Sequence, residues 1–389
     1  MATREAGLRR EAPASVEEAA ALMRSCAEQG LTLRARGGGT KRSWGTPVPE
    51  PGLELSTLGL QETVEYNEGD YTVRVQAGKR VADLQNVLRD NNQMLSLDPP
   101  LGGDAATVGG LISAGDSGPQ RHRYGGPRDL VLGVTVVLSD GTVAHAGGRV
   151  IKNVAGYDLS KLFTGSFGTL GLIAEVALRL HPRPESRASA TAGSDDPAVL
   201  ARAASALSHS SLEMDCLDVR WEGGQGAVMA RFGGAAAATA AEGALPVLRQ
   251  LGLDATVLDD DDELWQRQRA AQRSSDGVVV RVSARQSRLD EVFRAAGAAG
   301  GSVVGRVAHA LCWVTLPAGE PQGMVAGVEQ LRRALHPLPC VVLDAPEPVR
   351  SGLDVWGVGG GSALELMRRL KTRFDPAGAC NPGVYIGGI

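Results

Sequence analysis

The residues with the most chemical content are glycines and the few polar side chains set among them. Arg36-Gly37-Gly38-Gly39-Thr40 closes an alternating run, Leu31–Arg36, and leads into Lys41, Arg42, Ser43 and Trp44. A second cluster runs from Pro99-Pro100-Leu101-Gly102-Gly103 through Thr107-Val108-Gly109-Gly110 to Ser113, Gly115 and Gly118. Glycine costs backbone entropy, so such density is used where φ must be positive or where backbone must approach something closely. Backbone N–H groups gathered in such turns bind anions, and a phosphate suits them best. The first loop lacks the G-K-[ST] ending of a Walker A loop. No long helix follows it, as a dinucleotide G-x-G-x-x-G turn would require. A third cluster, Lys152-Asn153-Val154-Ala155-Gly156-Tyr157-Asp158, sets a lysine, a phenol and a carboxylate in a glycine-flanked segment. It reads either as a polar group facing a pocket or as a loop ending in a helix N-cap at Asp158.

Other chemistries find less support. The five cysteines, Cys26, Cys216, Cys312, Cys340 and Cys380, are odd in number and never in C-x-x-C spacing. That argues against a disulfide framework, a zinc site or a local iron–sulfur motif. The six histidines, His122, His145, His181, His209, His309 and His336, form no H-x-x-x-H or H-E-x-x-H pair, and no metal is expected. The acidic run Asp259–Glu263 reads as a helix N-terminus, because calcium needs spaced ligands. With a formal net charge of −4 and no basic run interleaved with aromatics, nucleic acid is an unsuited partner. No apolar run reaches the ~18 residues of a membrane span. The first residues lack a secretory pattern, so a cytoplasmic location is the expectation.

The elements that must position these residues follow from periodicity. Ser15–Gln29 reads as a helix with a Ser15/Glu18 capping box and a Val16, Ala19, Ala20, Met23 stripe. Tyr71–Ala77, Leu130–Leu138 and Thr169–Leu180 read as strands. Asp140-Gly141 marks a hairpin, and Lys79–Asn92 a helix with Val81, Leu84, Val87 and Leu88 on one face. His181-Pro182-Arg183-Pro184 breaks the pattern and marks a boundary. Beyond it, helices are expected at Pro197–Leu207, Ala235–Leu251, Asp260–Arg273, Arg288–Ala299 and Gln322–Leu335. Strands are expected at Leu217–Trp221, Gly226–Phe232, Val278–Ser283 and Ala310–Leu316. Pro339–Gly361 reads as a connection back to the first domain, and Ser362–Phe374 as a helix before the loop Asp375–Gly383. With 389 residues, 43% of them hydrophobic and 22% charged, the chain is long enough for two or three domains. The expected division is residues 1–185, a cap at 186–340, and a segment 341–389 that returns to the first domain. The fold class is α+β, with cap helices layered on an antiparallel sheet.

Arg36–Thr40, Ala106–Gly110, Arg123-Tyr124-Gly125 with Asp129, and Gly165-Ser166-Phe167-Gly168-Thr169-Leu170-Gly171 together resemble the FAD-binding domain of the vanillyl-alcohol oxidase/p-cresol methylhydroxylase superfamily. The resemblance spans roughly Leu31 to Pro182, and Asp375–Gly383 is similar to the family's terminal loop. Lys152–Asp158 and the chain's size look most like the E subunit of bacterial glycolate oxidases. The resemblance implies a two-part FAD domain with an inserted cap, and a pyrophosphate loop at Arg36, Gly37, Gly38, Gly39 and Thr40. It implies a second cradle at Pro100, Leu101, Gly102, Thr107, Gly109, Gly110, Ser113, Gly118, Tyr124 and Gly125, with the adenine beside Ile173. No histidine lies in the first loop, so non-covalent FAD is implied. Lys152, Tyr157 and Asn381 become candidates for the flavin side. Glycolate oxidation to glyoxylate within a complex is implied, beside a larger catalytic flavoprotein and an iron–sulfur subunit. A stand-alone oxidoreductase of a 2-hydroxy acid or other alcohol, and a structural subunit with a vestigial FAD site, stay open. Hydroxy-acid oxidation needs a base and a cation for the carboxylate. Arg281, Arg285 and Arg306 are the arginines available in the cap, although surface placement is the commoner fate of an arginine.

Overall fold

The computed structural model describes residues 8–100, 105–148 and 157–389. Leu101, Gly102 and Lys152 therefore lie outside the described residues. The first domain is built in two parts. A small parallel sheet holds Arg9–Glu11, Leu53–Ser56 and Leu33–Arg36, in that order. Helix Val16–Glu28 covers it, with Ala19, Ala20, Met23 and Cys26 buried at helical spacing. Ser15 Oγ accepts from Glu18 N at 3.1 Å, and the Glu18 carboxylate accepts from Ala14 N at 2.8 Å, which closes the helix start. The second part is an antiparallel sheet in the order Thr63–Asn67, Thr72–Gln76, Leu172–Arg179, Val131–Val137, Val143–Gly147. Its central strands are apolar on both faces because helices and the first sheet cover both. The helices Val81–Arg89 and Val108–Ala114 pack on this sheet. Val87, expected on the apolar face of the first of these, is instead 39% exposed; Val81, Leu84 and Leu88 alone carry its buried stripe.

The inserted cap is one sheet of eight antiparallel strands among the described residues, running from Ala255–Leu258 at one edge to Cys340–Asp344 at the other. Helices Pro197–Ser208, Leu289–Ala298 and Pro321–Leu335 lie on it over a shared core. This is the expected α+β cap, with corrections. The helix expected over Ala235–Leu251 is two short helices, Ala237–Glu242 and Leu245–Arg249, broken at Gly243 and Pro246. Arg187–Ser194 is a full strand whose small residues hide any alternation. Within the expected connection Pro339–Gly361, Cys340–Asp344 is a fully buried strand paired with Val278–Ser283, so the cap sheet runs past the boundary drawn at 340. The return then reaches the first domain: Leu33 N donates to Ala379 O and Asn381 N to Leu33 O, both at 2.8 Å, adding this segment beside the Leu33–Arg36 strand.

Candidate active site

The parallel strand Leu33–Arg36 delivers the backbone into Gly37–Thr40, and Thr107 caps the helix Val108–Ala114 opposite it. The two loops interlock. A Cβ on Gly37 would sit 2.1 Å from Thr107 Oγ1, one on Gly38 1.5 Å from the Ala105 carbonyl oxygen, and one on Gly109 2.5 Å from Ala77 Cβ. Gly39 adds a positive φ of 73°. The glycines are thus required by close approach of neighbouring segments; Gly109 N donates to Ala77 O at 2.8 Å, while Gly37, Gly38 and Gly39 border open space. Thr107 Oγ1 accepts from Gly110 N at 3.3 Å, which orients the first helical turn. A cavity of about 310 Å³ lies between the loops, lined by Arg36 to Arg42, Thr107, Gly109, Gly110, Ser113, Ile173 and Asn381.

Side chains from both domains hold the first loop. Lys41 pairs with Asp116 at 3.1 Å, both nearly buried. Arg36 reaches Glu54 at 3.0 Å; Arg10 and Arg42 also approach this buried carboxylate. From the cap, Asp344 accepts from the Trp44 indole at 3.0 Å and binds Arg273, which in turn donates to Thr40 O at 3.1 Å. At the far end, Asn381 Nδ2 donates to Phe167 O at 2.7 Å and its Oδ1 accepts from Arg34 Nε at 3.2 Å.

The first cavity shares Ala114 and Phe167 with a second of about 260 Å³. Arg121, Asp129 and Gly165 of the first domain, Arg281 of the cap, and Trp356 and Tyr385 of the return line it. Phe167, Trp356 and Tyr385 pack on one another with ring centroids 4.8–5.6 Å apart. Nε of Arg121 and Nε of Arg281 are buried without a hydrogen-bond partner. Burial lowers the pKa of both guanidinia. Burial also raises the Tyr385 hydroxyl, which keeps its proton at neutral pH.

The structure sorts the expected site residues. Arg36 to Thr40, Thr107, Gly109, Gly110, Ser113, Ile173 and Asn381 share the first cavity. Pro100, Gly118, Tyr124 and Gly125 line neither cavity. Gly118 lies against Asp98, where a Cβ would meet the Asp98 carbonyl at 1.7 Å. Tyr124 packs on the His181 ring at 4.7 Å, and Gly125, at φ 83°, turns beneath the Asp129 side chain. Tyr157, a flavin-side candidate, is 93% exposed and borders no cavity, so that placement is corrected. Arg306 is also corrected. It is 1% exposed and bound to Asp218 at 2.7 Å and to Gln272, so its charge is already paired. Arg285 is exposed. Arg281 alone of the three cap arginines reaches a cavity. Lys41, Arg121, Trp356 and Tyr385 were not singled out from the sequence. Only Lys41, next to the glycine loop, carried a local signal.

Interlocked glycine loops, a capped helix start and a lysine around an elongated cavity, beside a second cavity bordered by the cap, define a dinucleotide-binding flavoprotein architecture. The fit to FAD rests on the cradle: bare glycine backbone at Gly37, Gly38 and Gly39 and the side chains of Arg36, Lys41 and Arg42 line one cavity with Ile173. Residues 11–147 match the family model described as FAD binding domain. The chain is 36% identical over 157 residues to glycolate oxidase subunit GlcE of Escherichia coli, covering 40% of this chain and 44% of that one. It is 35% identical over 176 residues to subunit GlcD of Bacillus subtilis, covering 45% and 37%. The chain thus spans well under half the length of these curated relatives. An uncharacterised FAD-linked oxidoreductase of Mycobacterium tuberculosis is 28% identical over 96% of this chain and 90% of its own. Among solved structures, an alkyldihydroxyacetonephosphate synthase superposes with a TM-score of 0.71 at 15% identity, covering 96% of this chain and 75% of that one. A xylooligosaccharide oxidase from Myceliophthora thermophila does so with 0.70 at 17%, covering 96% and 90%. Residues 11–147 thus match an FAD-binding domain, and the whole chain shares its fold with these solved structures.

Proposed function

We propose that this chain is an FAD-linked oxidoreductase of a 2-hydroxy acid, working as the flavin-bearing subunit of an assembly like glycolate oxidase. The observation that carries the reading is the adjacency of the two cavities: Ala114 and Phe167 line both the glycine-loop cavity and a cationic, aromatic chamber bordered by the cap. The relatives GlcE and GlcD support the substrate class and the subunit role.

Gly37 to Lys41 would hold the pyrophosphate of FAD across from the Thr107 helix cap, and Ile173 would border its adenine end. When bound, FAD supplies the hydride acceptor, and the protein supplies position and electrostatics. Arg121 and Arg281 attract a carboxylate into the chamber. The Tyr385 hydroxyl donates to a substrate oxygen. The Asp129 carboxylate, with Oδ2 already accepting from Gly126 N at 2.8 Å, keeps Oδ1 to accept the hydroxyl proton. Phe167, Trp356 and Tyr385 exclude water on one side of the reacting carbon.

The test is isolation of the chain with its co-purifying partners, followed by an anaerobic visible spectrum before and after a panel of 2-hydroxy acids. The expected result is bound flavin that bleaches with at least one acid, in company with a larger flavoprotein and an iron–sulfur subunit. A chain that takes up no FAD, or a flavin that stays oxidised with every acid in the intact assembly, overturns the reading.

A further inference from the structure

The second cavity holds more positive charge than one carboxylate can neutralise. Among the described residues its charged lining is Arg121, Arg128 and Arg281 against Asp129 alone. Asp129 and Arg128 are solvent-exposed, whereas Arg121 and Arg281 lie deeper. The two deeper arginines come from different domains; burial is what chiefly disfavours the charge on Arg281, Asp116 and Tyr385 offset part of it at a distance, and Arg121 adds a small repulsion. Neither has a carboxylate ion-pair partner within 4.0 Å among the described residues, unlike Arg273 and Arg306 nearby. Among the described residues the one hydrogen bond of either guanidinium is a long one, from Arg121 Nη1 to Ser117 Oγ at 3.5 Å. A buried cation without a partner is costly, and adding one carboxylate would leave a second guanidinium uncompensated.

We infer that the chamber takes a 2-hydroxy acid bearing a second anionic group, a 2-hydroxy dicarboxylic acid, with Arg121 and Arg281 each meeting one carboxylate and Phe167, Trp356 and Tyr385 covering the carbon chain. The inference rests on the 2-hydroxy-acid reading and narrows it away from two-carbon acids. Bidentate guanidinium–carboxylate pairing at two points fixes the length and orientation of the substrate, which a single ion pair does not. Gly126 is part of the device. A Cβ there would lie 3.2 Å from Arg121 Cζ, so the guanidinium rests on bare backbone.

Calorimetric titration of the FAD-loaded protein tests this without turnover. The probes are succinate and glutarate against acetate and propionate, which lack the 2-hydroxyl and cannot reduce the flavin, at one ionic strength; malate, 2-hydroxyglutarate, glycolate and lactate are kept for the bleaching assay. The dicarboxylates are expected to bind at least about tenfold more tightly. Arg281→Gln and Arg121→Gln should each bring the two classes to within about threefold, and Arg281→Lys should restore part of the margin. Thermal melts and retained FAD show that each variant is folded. Equal binding of the two classes by the parent protein, or a full margin kept by both glutamine variants, overturns the inference. Flavin bleaching separates the two readings. A dicarboxylate margin with no bleaching by any 2-hydroxy acid in the intact assembly leaves the anion site standing and removes the oxidoreductase reading. Bleaching by glycolate or lactate with no dicarboxylate margin keeps the oxidoreductase and removes the dianion site.

Discussion

A single methyl group on Gly38 would lie 1.5 Å from the Ala105 carbonyl oxygen, a separation no packing shift of a flexible side chain can relieve. Gly38→Ala must push the Gly37–Thr40 turn away from the Thr107 loop. Overpacking of this kind costs about 1–3 kcal/mol or more. It should also lower FAD retention, because both loops border the same cavity. Gly69→Ala is the matched control: nothing lies within 4 Å of its Cβ, so it should change stability by less than about 0.5 kcal/mol. Thermal melts and the flavin-to-protein absorbance ratio read both. A G38A protein as stable and as yellow as the parent would show that the loops do not abut as described. Residue identity predicts less well when the partner is distant. Arg306 is an arginine with a carboxylate role, but the carboxylate is Asp218 of the neighbouring strand, not a ligand.

Between elements, the cap strand Cys340–Asp344 and the first-domain loop are joined through one carboxylate. Asp344 receives the Trp44 indole and the Arg273 guanidinium, and Arg273 carries the connection on to the Thr40 carbonyl. Trp44 itself is 4% exposed and belongs to the cap core, although it follows the glycine loop in sequence. The cap therefore positions the nucleotide loop as well as roofing the second cavity. Asp344→Asn keeps the volume and removes the charge, leaving a largely buried guanidinium unpaired. Breaking such a pair costs about 3 kcal/mol. The FAD dissociation constant should rise by about tenfold as Thr40 loses its anchor. Denaturant melts and a flavin-fluorescence titration measure the two effects separately. Unchanged FAD affinity in a destabilised D344N protein would limit Asp344 to a folding role.

For the whole molecule, buried ionisable groups in the first domain and the cap predict opposing pH dependences of stability. Burial lifts Asp98 to about 7, even with Arg269 and Arg306 nearby and Gln120 N donating to it, and lifts Asp218 to about 6. These carboxyls are held neutral by the fold more than by the unfolded chain, so their contribution is present below the unfolded value and fades as pH rises through 6 and then 7. His122 and His181 are pushed down to about 4, chiefly by burial. The unfolded chain binds more protons at these imidazoles between about pH 4 and 6.5, so there they make stability rise with pH. The two trends oppose each other over the same window, so the melting temperature should change little between about pH 4 and 6 and fall as Asp98 ionises near pH 7. Asp98→Asn should tilt that plateau upward with pH, and His181→Gln downward. A melting temperature that climbs steadily from pH 5 to 8 contradicts the assignment.

The sequence by itself determined the glycine loops, the capped first helix, the strands that carry the first domain and the anionic nature of the ligand. Those signals are local: a loop that must pack backbone on backbone has to be glycine wherever it is found, and period-2 or period-3.6 burial shows within a few residues. The α+β cap was legible in outline for the same reason. Its strands Arg187–Ser194, Ala255–Leu258, Ser302–Arg306 and Cys340–Asp344 were not, because small residues, short length and neighbouring prolines mask the alternation that burial on a sheet requires. Only the tertiary structure decided which charges remain free. Arg121 and Arg281 are 160 positions apart, and Trp356 and Tyr385 come from the returning segment, yet they line one chamber. Arg306 and Arg281 look alike in sequence. One pairs with a carboxylate on the next strand of its sheet, and the other has no such neighbour. That difference depends on strand pairing between distant segments, which no local spacing encodes.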